Sequence, residues 1–290
     1  MHSQKIHNKK LILPVLIFLA GCLALAAVLY HSYRTNLKQV RAVTELNAIT
    51  YAERLQNDMN RGVAITDTLE EIVLSENGKI DNFQKVAGNL MTDFVQSIQV
   101  APDGVVTDIY PEAGNEAGKI DLIHDESRGE ICRYGRDKNI VTMQGPFDLK
   151  QGGRGIAIRN PVYLECPDGT SAFWGFTIVI IRIPEVFEKS VQALTQFGYD
   201  YCLTKTVSPL SDDTEVVSSS GNILKEPITF EFEFCGSTFG LEVMPTDGWN
   251  HGWNILPQLV FGISIILLLT GLTVIVLVVE RHREILKKWR

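Results

Sequence analysis

The sequence predicts an α+β domain held between two membrane-spanning helices, and three observations support this. Residues 11–30 and 255–279 contain no Asp, Glu, Lys or Arg, the segment between them alternates helical with strand-like patterns, and charge is divided unevenly along the chain. The whole-chain averages, 27 Lys+Arg against 34 Asp+Glu and 45% hydrophobic residues, conceal this partition. The uncharged runs exclude a simple soluble protein, and the acidic middle segment argues against a nucleic-acid partner.

The two uncharged runs are long enough to cross a bilayer. An α-helix rises about 1.5 Å per residue, so about 20 residues cross a hydrocarbon core of about 30 Å, and the runs have 20 and 25 residues. A cleaved signal peptide is the alternative for the first run, but its apolar core is usually about 7–15 residues. Residues 25–30 also lack a clean small-x-small cleavage site. We therefore predict transmembrane helices at 11–30 and 255–279.

Flanking cations predict the topology, because Lys and Arg are retained on the cytoplasmic side. Residues 1–10 and 280–290 each carry a net charge of +3, and subtracting both from the total of −7 leaves −13 for residues 31–254. We expect a plasma-membrane protein with both termini in the cytoplasm and the 224-residue acidic segment outside.

The first external segment, residues 31–78, predicts a stalk helix that continues from the first span. Residues 31–75 contain no Pro, and Glu76-Asn77-Gly78 ends the helical pattern. Apolar residues recur at spacings of three and four, as on one face of a helix: Leu37, Val40, Val43, Thr44, Ala48, Tyr51, Ala52, Leu55, Met59, Ile65 and Leu69. Such a stripe is buried either against its own domain or in a parallel homodimer, and the sequence leaves both open.

The remaining segment alternates helices with β-hairpins, an α+β pattern repeated in shorter form after residue 184. In chain order we predict a helix at 81–94 opened by an Asp or Asn cap, a hairpin about Pro102-Asp103-Gly104, a loop at 111–118, a helix after Asp121, strands at 140–149, 154–166 and 171–183 with a turn at Asp168-Gly169, a helix at 184–197, a Ser-rich loop at 208–221, and strands at 199–207, 226–236 and 237–246.

Four of the five cysteines lie in the external segment: Cys132, Cys166, Cys202 and Cys235. An even number of thiols outside the cytoplasm predicts up to two disulfides, with three connectivities among which the sequence does not choose. The alternative is that some of them are small buried hydrophobic residues. No pair has the close spacing of a zinc site.

Three ordered blocks, residues 98–118, 143–163 and 173–187, resemble the CHASE domain, an extracellular sensory module of bacterial and plant receptors. The resemblance covers about residues 45–245. It implies a stalk helix carrying two PAS-like antiparallel-sheet subdomains. They are a membrane-distal one at 79–184 that holds a small-molecule pocket and a membrane-proximal one at 185–254.

The resemblance also implies candidate ligand-binding residues. In cytokinin receptors, the plant members, an acidic residue on the helix before the GP-type strand pairs with a purine amine, and Asp121 aligns with it. Leu149 aligns with an apolar pocket residue, and Arg159 replaces the assisting hydroxyl. That replacement argues against cytokinin and favours an anionic ligand, a carboxylate or phosphate; the alternative for Arg159 is a surface ion pair. Phe173 and Trp174 either form a surface that contacts the ligand or pack in the hydrophobic core.

The sequence contains no motif that indicates a catalytic function. His124 lies in an acidic segment expected to be solvated, and no Ser elbow, metal-ligand cluster or close cysteine pair is present. We expect no catalytic residue, metal or cofactor, and an enzyme would need a constellation of polar residues that is not seen.

The sequence therefore predicts a ligand-sensing receptor, dimeric through its stalk, that signals through the second span. It ends eleven residues after that span, with a basic tail at 280–290. We expect a separate cytoplasmic output partner: a cyclase, phosphodiesterase or histidine kinase. The alternative is a membrane-anchored scaffold whose PAS-like fold has lost its ligand. An open pocket favours the receptor and a filled interior the scaffold.

Overall fold

The computed structural model describes residues 2–112, 120–150, 152–250 and 252–289, and most of the predicted loop at 111–118 lies outside this description. The elements in chain order are α1 His2–Ser75, α2 Phe83–Leu90, β1 Val95–Pro102, β2 Asp108–Tyr110, α3 Gly129–Lys138, β3 Thr142–Asp148, β4 Arg154–Glu165, β5 Ser171–Ile183, a 3₁₀ turn Glu185–Phe187, α4 Glu188–Gln196, β6 Tyr199–Thr206, β7 Thr214–Ser219, β8 Ile228–Phe234, β9 Ser237–Pro245 and α5 Ile255–Lys288.

The elements form two compact units, one of residues 43–246 and one of residues 1–42 with 247–290. The first unit holds two antiparallel sheets, with strand orders β2-β1-β5-β4-β3 (the first sheet) and β7-β6-β9-β8 (the second sheet). The predicted α+β fold with a long N-terminal helix and two antiparallel sheets is confirmed. The membrane-distal and membrane-proximal assignments and the other domain boundaries stay predictions.

The buried face of α1 packs against the first sheet. Leu55 and Met59, at 1% and 0% exposure, belong to the same apolar core as Ile158 and Val179 of the sheet. A Cβ atom at Gly62 would lie 2.7 Å from Ile158 Cδ1, so the absence of a side chain there lets the helix lie close to β4. The predicted stripe is therefore occupied within its own domain from Thr44 to Leu69.

The same helix also contacts the second sheet. Asn47 Nδ2 donates to the Tyr199 hydroxyl of β6 at 2.8 Å. On α4, the helix that precedes β6, the Ser190 hydroxyl donates to Asp58 Oδ2 of α1 at 2.6 Å. Apolar residues of the second sheet, including Phe239, continue the core that α1 shares with the first sheet. One helix face thus packs against both sheets.

Strand β7 lies in the segment that the sequence predicts to be a Ser-rich loop, and this prediction is wrong. β7 is an edge strand that pairs only with β6, so its composition is polar and only Val217 is buried. Its position is stabilised by Lys205 of β6, a fully buried side chain whose Nζ lies 3.0 Å from Glu215 Oε1. Burial lowers the pKa of Lys205, and the Glu215 carboxylate on β7 opposes that shift.

Two predicted helix starts also differ from the structure. Asp121 Oδ1 accepts hydrogen bonds from the backbone N–H groups of Ile123 and His124, both at 3.1 Å. Such local side-chain bonds compete with helix formation, and α3 begins only at Gly129. Before α2, Asn82 makes no side-chain capping bond and has a φ of 55°, so the predicted polar cap is absent there.

All five cysteines are free thiols, so the structure contains none of the expected disulfides. Cys132 is fully buried in a small apolar cluster with Ile131 and Phe176, and burial raises the pKa of its thiol. Burial likewise raises the pKa of Cys235 to about 12. These two cysteines act as small apolar side chains, the alternative that the sequence left open.

The second unit contains the N-terminal part of α1 and the whole of α5, and these two helices are long and apolar enough to cross a membrane. Within it, the N-terminal part of α1 contacts α5 at two glycines. A Cβ atom at Gly21 would lie 2.9 Å from Ile266 Cγ1, and one at Gly262 would overlap the Leu25 side chain. Gln258 Nε2 also donates to the Ser32 hydroxyl at 3.1 Å. Small residues that allow close helix contact are typical of membrane helix pairs.

Replacing Leu55 with Ala should lower the free energy of unfolding by about 2–5 kcal/mol, because it leaves a cavity where α1 meets the core. Thermal unfolding of the full chain in detergent, followed by intrinsic fluorescence, measures this. The control is Asn57→Ala on the exposed face of the same helix, which should change it by less than about 0.5 kcal/mol. Equal effects of the two substitutions would contradict the packing of α1.

Candidate ligand pocket

A cavity of about 640 Å³ lies on the first sheet. Side chains alternate between the two faces of a strand, so Ile158 of β4 points toward α1 while its neighbours Ala157 and Arg159 line the cavity. The same alternation on β5 sends Val179 into the α1 core and places Ile178 and Ile180 in the cavity wall. The sheet therefore separates the cavity from α1.

Strand register aligns the floor of the cavity in two rows. In one row Gln99 of β1 lies opposite Ile178 of β5, which lies opposite Arg159 of β4. In the other row Ser97, Ile180, Ala157 and Gln144 follow one another across β1, β5, β4 and β3. Each row thus combines polar side chains at its ends with apolar side chains between them.

The walls come from β2 and from the loops that flank α3 and β3. Ile109 of β2 and Leu122 contribute apolar surface, and Leu149 contributes more from the end of β3. Ser127 and Arg128 lie at the start of α3. The chain at these two residues is held by Asp125 Oδ1, which accepts from both of their backbone N–H groups at 2.9 Å.

Arg159 is the most unusual residue of the cavity lining. Its side chain lies on β4 between β3 and β5 and is only 4% exposed. Its Nε and Nη1 atoms are buried and have no hydrogen-bond partner among the residues that the structure describes. Desolvation lowers the pKa of the guanidinium, since burial disfavours the charged form. A buried donor left without a partner costs about 1–3 kcal/mol, and the described part of the chain offers these two atoms no acceptor.

Gln144 adds an unpaired acceptor to the same cavity. Its Nε2 donates to the Ser127 carbonyl oxygen at 2.9 Å, which fixes the orientation of the amide because a carbonyl can only accept. Its Oε1 is buried and has no partner within the described part of the chain. The cavity lining therefore contains unsatisfied donors on one residue and an unsatisfied acceptor on another.

The charges of the lining are mainly positive. Arg128, Lys150 and Arg159 line the cavity, against one acidic residue, Asp148. The Arg128 guanidinium is partly compensated by Asp125, 3.8 Å away. The resulting field favours an anion, in a domain whose overall charge is negative.

The structure places the five predicted ligand-binding residues in different environments. Leu149 and Arg159 line the cavity, and Asp121 does not. The Asp121 carboxylate is partly exposed and lies 2.8 Å from His124 Nδ1, and this hydrogen bond lowers its pKa. The structure brings Asp121 to a turn outside the cavity rather than to a helix facing it.

Phe173 and Trp174 lie in packing positions. The Phe173 ring centroid lies 5.1 Å from that of Phe176 in the small apolar cluster. Trp174 Nε1 donates to the Gly78 carbonyl oxygen at 3.0 Å, just after α1 ends, and its ring packs against the main core. Neither residue lines the cavity.

Gln144 and Gln99 are lining residues that the sequence reasoning missed. Gln99 is 8% exposed in β1, a strand that is buried along most of its length, and Gln144 is partly buried in β3. A buried polar residue in such a strand needs a partner. Gln99 Nε2 meets this need by donating to the Ser97 hydroxyl at 3.0 Å. A glutamine within a strand-like run was therefore the feature of the sequence that could have identified these lining residues.

Comparisons with known proteins agree with a sensory domain. A family model described as CHASE domain matches residues 30–215, well over half of the chain. An extracellular ligand binding receptor from Desulfohalobium retbaense superposes with a TM-score of 0.51 at 12% identity, covering 69% of this chain. This chain covers only 39% of that receptor's length, so the likeness supports the fold alone. The comparison with curated proteins finds no match.

Two further solved structures are similar at lower scores. The periplasmic sensory domain of the Campylobacter jejuni chemoreceptor Tlp1 is 13% identical, with a TM-score of 0.47 over 76% of this chain and 99% of that chain. The periplasmic domain of RsbU from Chlamydia trachomatis is 9% identical, with a TM-score of 0.49 over 75% of this chain and 96% of that chain.

Replacing Arg159 with Met should raise the free energy of unfolding of the ligand-free protein by about 1–3 kcal/mol, because it removes buried donors that have no partner. Thermal unfolding of the full chain in detergent is the measurement. Arg154→Met is the matched control, since Arg154 lies on the same strand but is exposed and should change stability by less than about 0.5 kcal/mol. A large loss of stability in Arg159→Met would show that the guanidinium has a structural role.

Proposed function

This chain belongs to the CHASE domain family of extracellular sensory domains, and we propose that it is a membrane receptor that binds a small molecule in the first-sheet cavity. The observation that carries the proposal is the buried Arg159 guanidinium, which lines the cavity without partners for Nε and Nη1. A scaffold would gain nothing from this arrangement, whereas a receptor gains a site whose stability increases when a ligand supplies the missing acceptor.

The proposed topology places both termini in the cytoplasm and the sensory domain outside. The +3 charge of residues 1–10 and of residues 280–290 supports this orientation, and so do the two apolar helices that flank the domain. Membership of a family of extracellular sensory domains is consistent with it.

The proposed relay runs from the cavity to α5. β4 and β5 line the cavity with one face and contact α1 with the other, and the chain continues from β9, which ends at Pro245, into α5, which begins at Ile255. Ligand binding would shift β4 and β5, and the shift would change the packing of α5 on the N-terminal part of α1. A cytoplasmic output protein or domain would respond to that change.

Dimerisation through the stalk remains part of the proposal. The buried face of α1 is occupied by the sheets, so a dimer would use residues outside that face. Among the described residues of the stalk, Val43, Leu46 and Leu74, at 47%, 66% and 39% exposure, are the large apolar side chains that are exposed.

The double variant Ser32→Cys, Gln258→Cys should test the relay, because the Ser32 hydroxyl and Gln258 Nε2 are in hydrogen-bond contact. We would introduce both in a Cys22→Ser background and measure the disulfide formation rate of the full chain in nanodiscs. A panel of organic acids, amino acids and purines, first ranked by thermal shift, supplies the compounds. The highest-ranked compound should change the rate at least about twofold, as expected for a ligand that shifts a conformational equilibrium.

The controls separate the receptor from the scaffold. Arg159→Met should abolish the rate change and Arg154→Met should retain it. If every compound left both the melting temperature and the crosslinking rate unchanged, the receptor would be excluded and the scaffold supported.

A further inference from the structure

We infer that the ligand is a compact carboxylate that carries a hydrogen-bond donor close to its carboxylate and an apolar tail: a 2-amino acid or 2-hydroxy acid of about the size of leucine. This inference rests on the proposed function, and it specifies the ligand class of the same cavity. It depends on two unsatisfied side chains, the spacing between them, and the apolar surface beside them.

The first step is the match between Arg159 and a carboxylate. Nε and Nη1 are buried donors without partners among the described residues. Each of them forms one edge of the planar guanidinium together with Nη2, and either edge can bind the two oxygens of a carboxylate in a fork geometry. A neutral ligand would leave the buried positive charge uncompensated, and a cation would add to it.

The second step is the donor that Gln144 requires. Because Nε2 of Gln144 is bound to the Ser127 carbonyl, the unpaired Oε1 can only accept. A simple carboxylate has no donor for it, whereas an ammonium or hydroxyl group does. A ligand with both features satisfies both side chains at once.

The third step is the spacing. Gln144 lies opposite Ala157, two residues before Arg159 on the same face of β4. Such diagonal neighbours on antiparallel strands are about 7–8 Å apart between Cα atoms, within reach of long side chains. Both side chains line the same cavity from neighbouring strands, a spacing that suits a ligand with a donor on the carbon next to the carboxylate.

The fourth step is the remaining lining, which is apolar next to this polar pair. Ile178 and Ile180 form the floor, and Ile109 and Leu122 lie in the walls. A branched aliphatic tail can fill this surface, and the cavity of about 640 Å³ has room for it.

Four compounds of matched shape test the inference by calorimetry on the full chain in detergent: L-leucine, L-2-hydroxy-4-methylpentanoate, 4-methylpentanoate and 3-methylbutylamine. At least one of the first two should bind, and 4-methylpentanoate should bind about tenfold or more weakly, because it leaves Oε1 of Gln144 unpaired. The amine, which lacks the carboxylate, should not bind. The better of the first two identifies the donor as ammonium or hydroxyl.

Variants assign each contact. Arg159→Met should abolish carboxylate binding, and Arg159→Lys should weaken it about tenfold or more, because lysine lacks the planar fork. Gln144→Met should remove the preference over 4-methylpentanoate while leaving the affinity of 4-methylpentanoate itself within about threefold. The comparison among compounds on the unmodified chain needs no variant, so it decides the inference even if a variant does not fold.

The outcomes separate this inference from the proposed function. If a purine or another compound without a carboxylate changed the crosslinking rate between positions 32 and 258 while none of the carboxylates bound, the ligand class would be wrong and the receptor would stand. If the carboxylates bound through Arg159 but crosslinking did not change, the ligand class would stand and the relay would be wrong. Binding of the amine alone, or equal affinity of L-leucine, its hydroxy analogue and 4-methylpentanoate, would overturn the inference.

Discussion

The packing of one face of α1 against two antiparallel sheets is the contact on which the rest of the domain depends. Neither sheet has a second layer of long helices, so the apolar residues that face α1 are covered mainly by this helix. Gly62 sets the separation between helix and first sheet, because it leaves room for Ile158 where any side chain would intrude. With that face of the first sheet covered by α1, the opposite face remains for the cavity.

The cavity has a polar composition that packing alone does not favour. Arg159 and Gln144 each leave buried polar atoms without partners, although buried groups in folded proteins are almost always hydrogen-bonded. Lys205 in the second sheet is the contrast, since its buried ammonium meets Glu215 at 3.0 Å. Of these two buried cations, the one in the second sheet has a carboxylate partner, and the one beside the cavity has no partner for Nε and Nη1 among the described residues. This difference is what supports the proposed binding site.

Much of the fold could be predicted from the sequence, and the site only in part. The stripe from Thr44 to Leu69 has helical periodicity, and the three strands predicted at 140–149, 154–166 and 171–183 are rich in β-branched and aromatic residues. The structure contains the helix and all three strands. β7 was missed because an edge strand needs little apolar character. The late start of α3 was missed because Asp121 and Asp125 engage backbone N–H groups locally. Arg159 was identified because its place in a family motif is unusual, whereas Gln144 depends on strand register, which no single strand reveals.

The alternation along β4 has a consequence for how such a receptor can diverge. Ile158 contacts α1 and Arg159 lines the cavity, although the two residues are neighbours in the chain. Substitutions at every second position can therefore alter chemical selectivity while the intervening positions preserve the helix contact. Gene duplicates could acquire different specificities by drift at a few cavity positions and still operate the same output. In the proposed receptor, ligand preference and the contact with α1 are thus separable within a single strand.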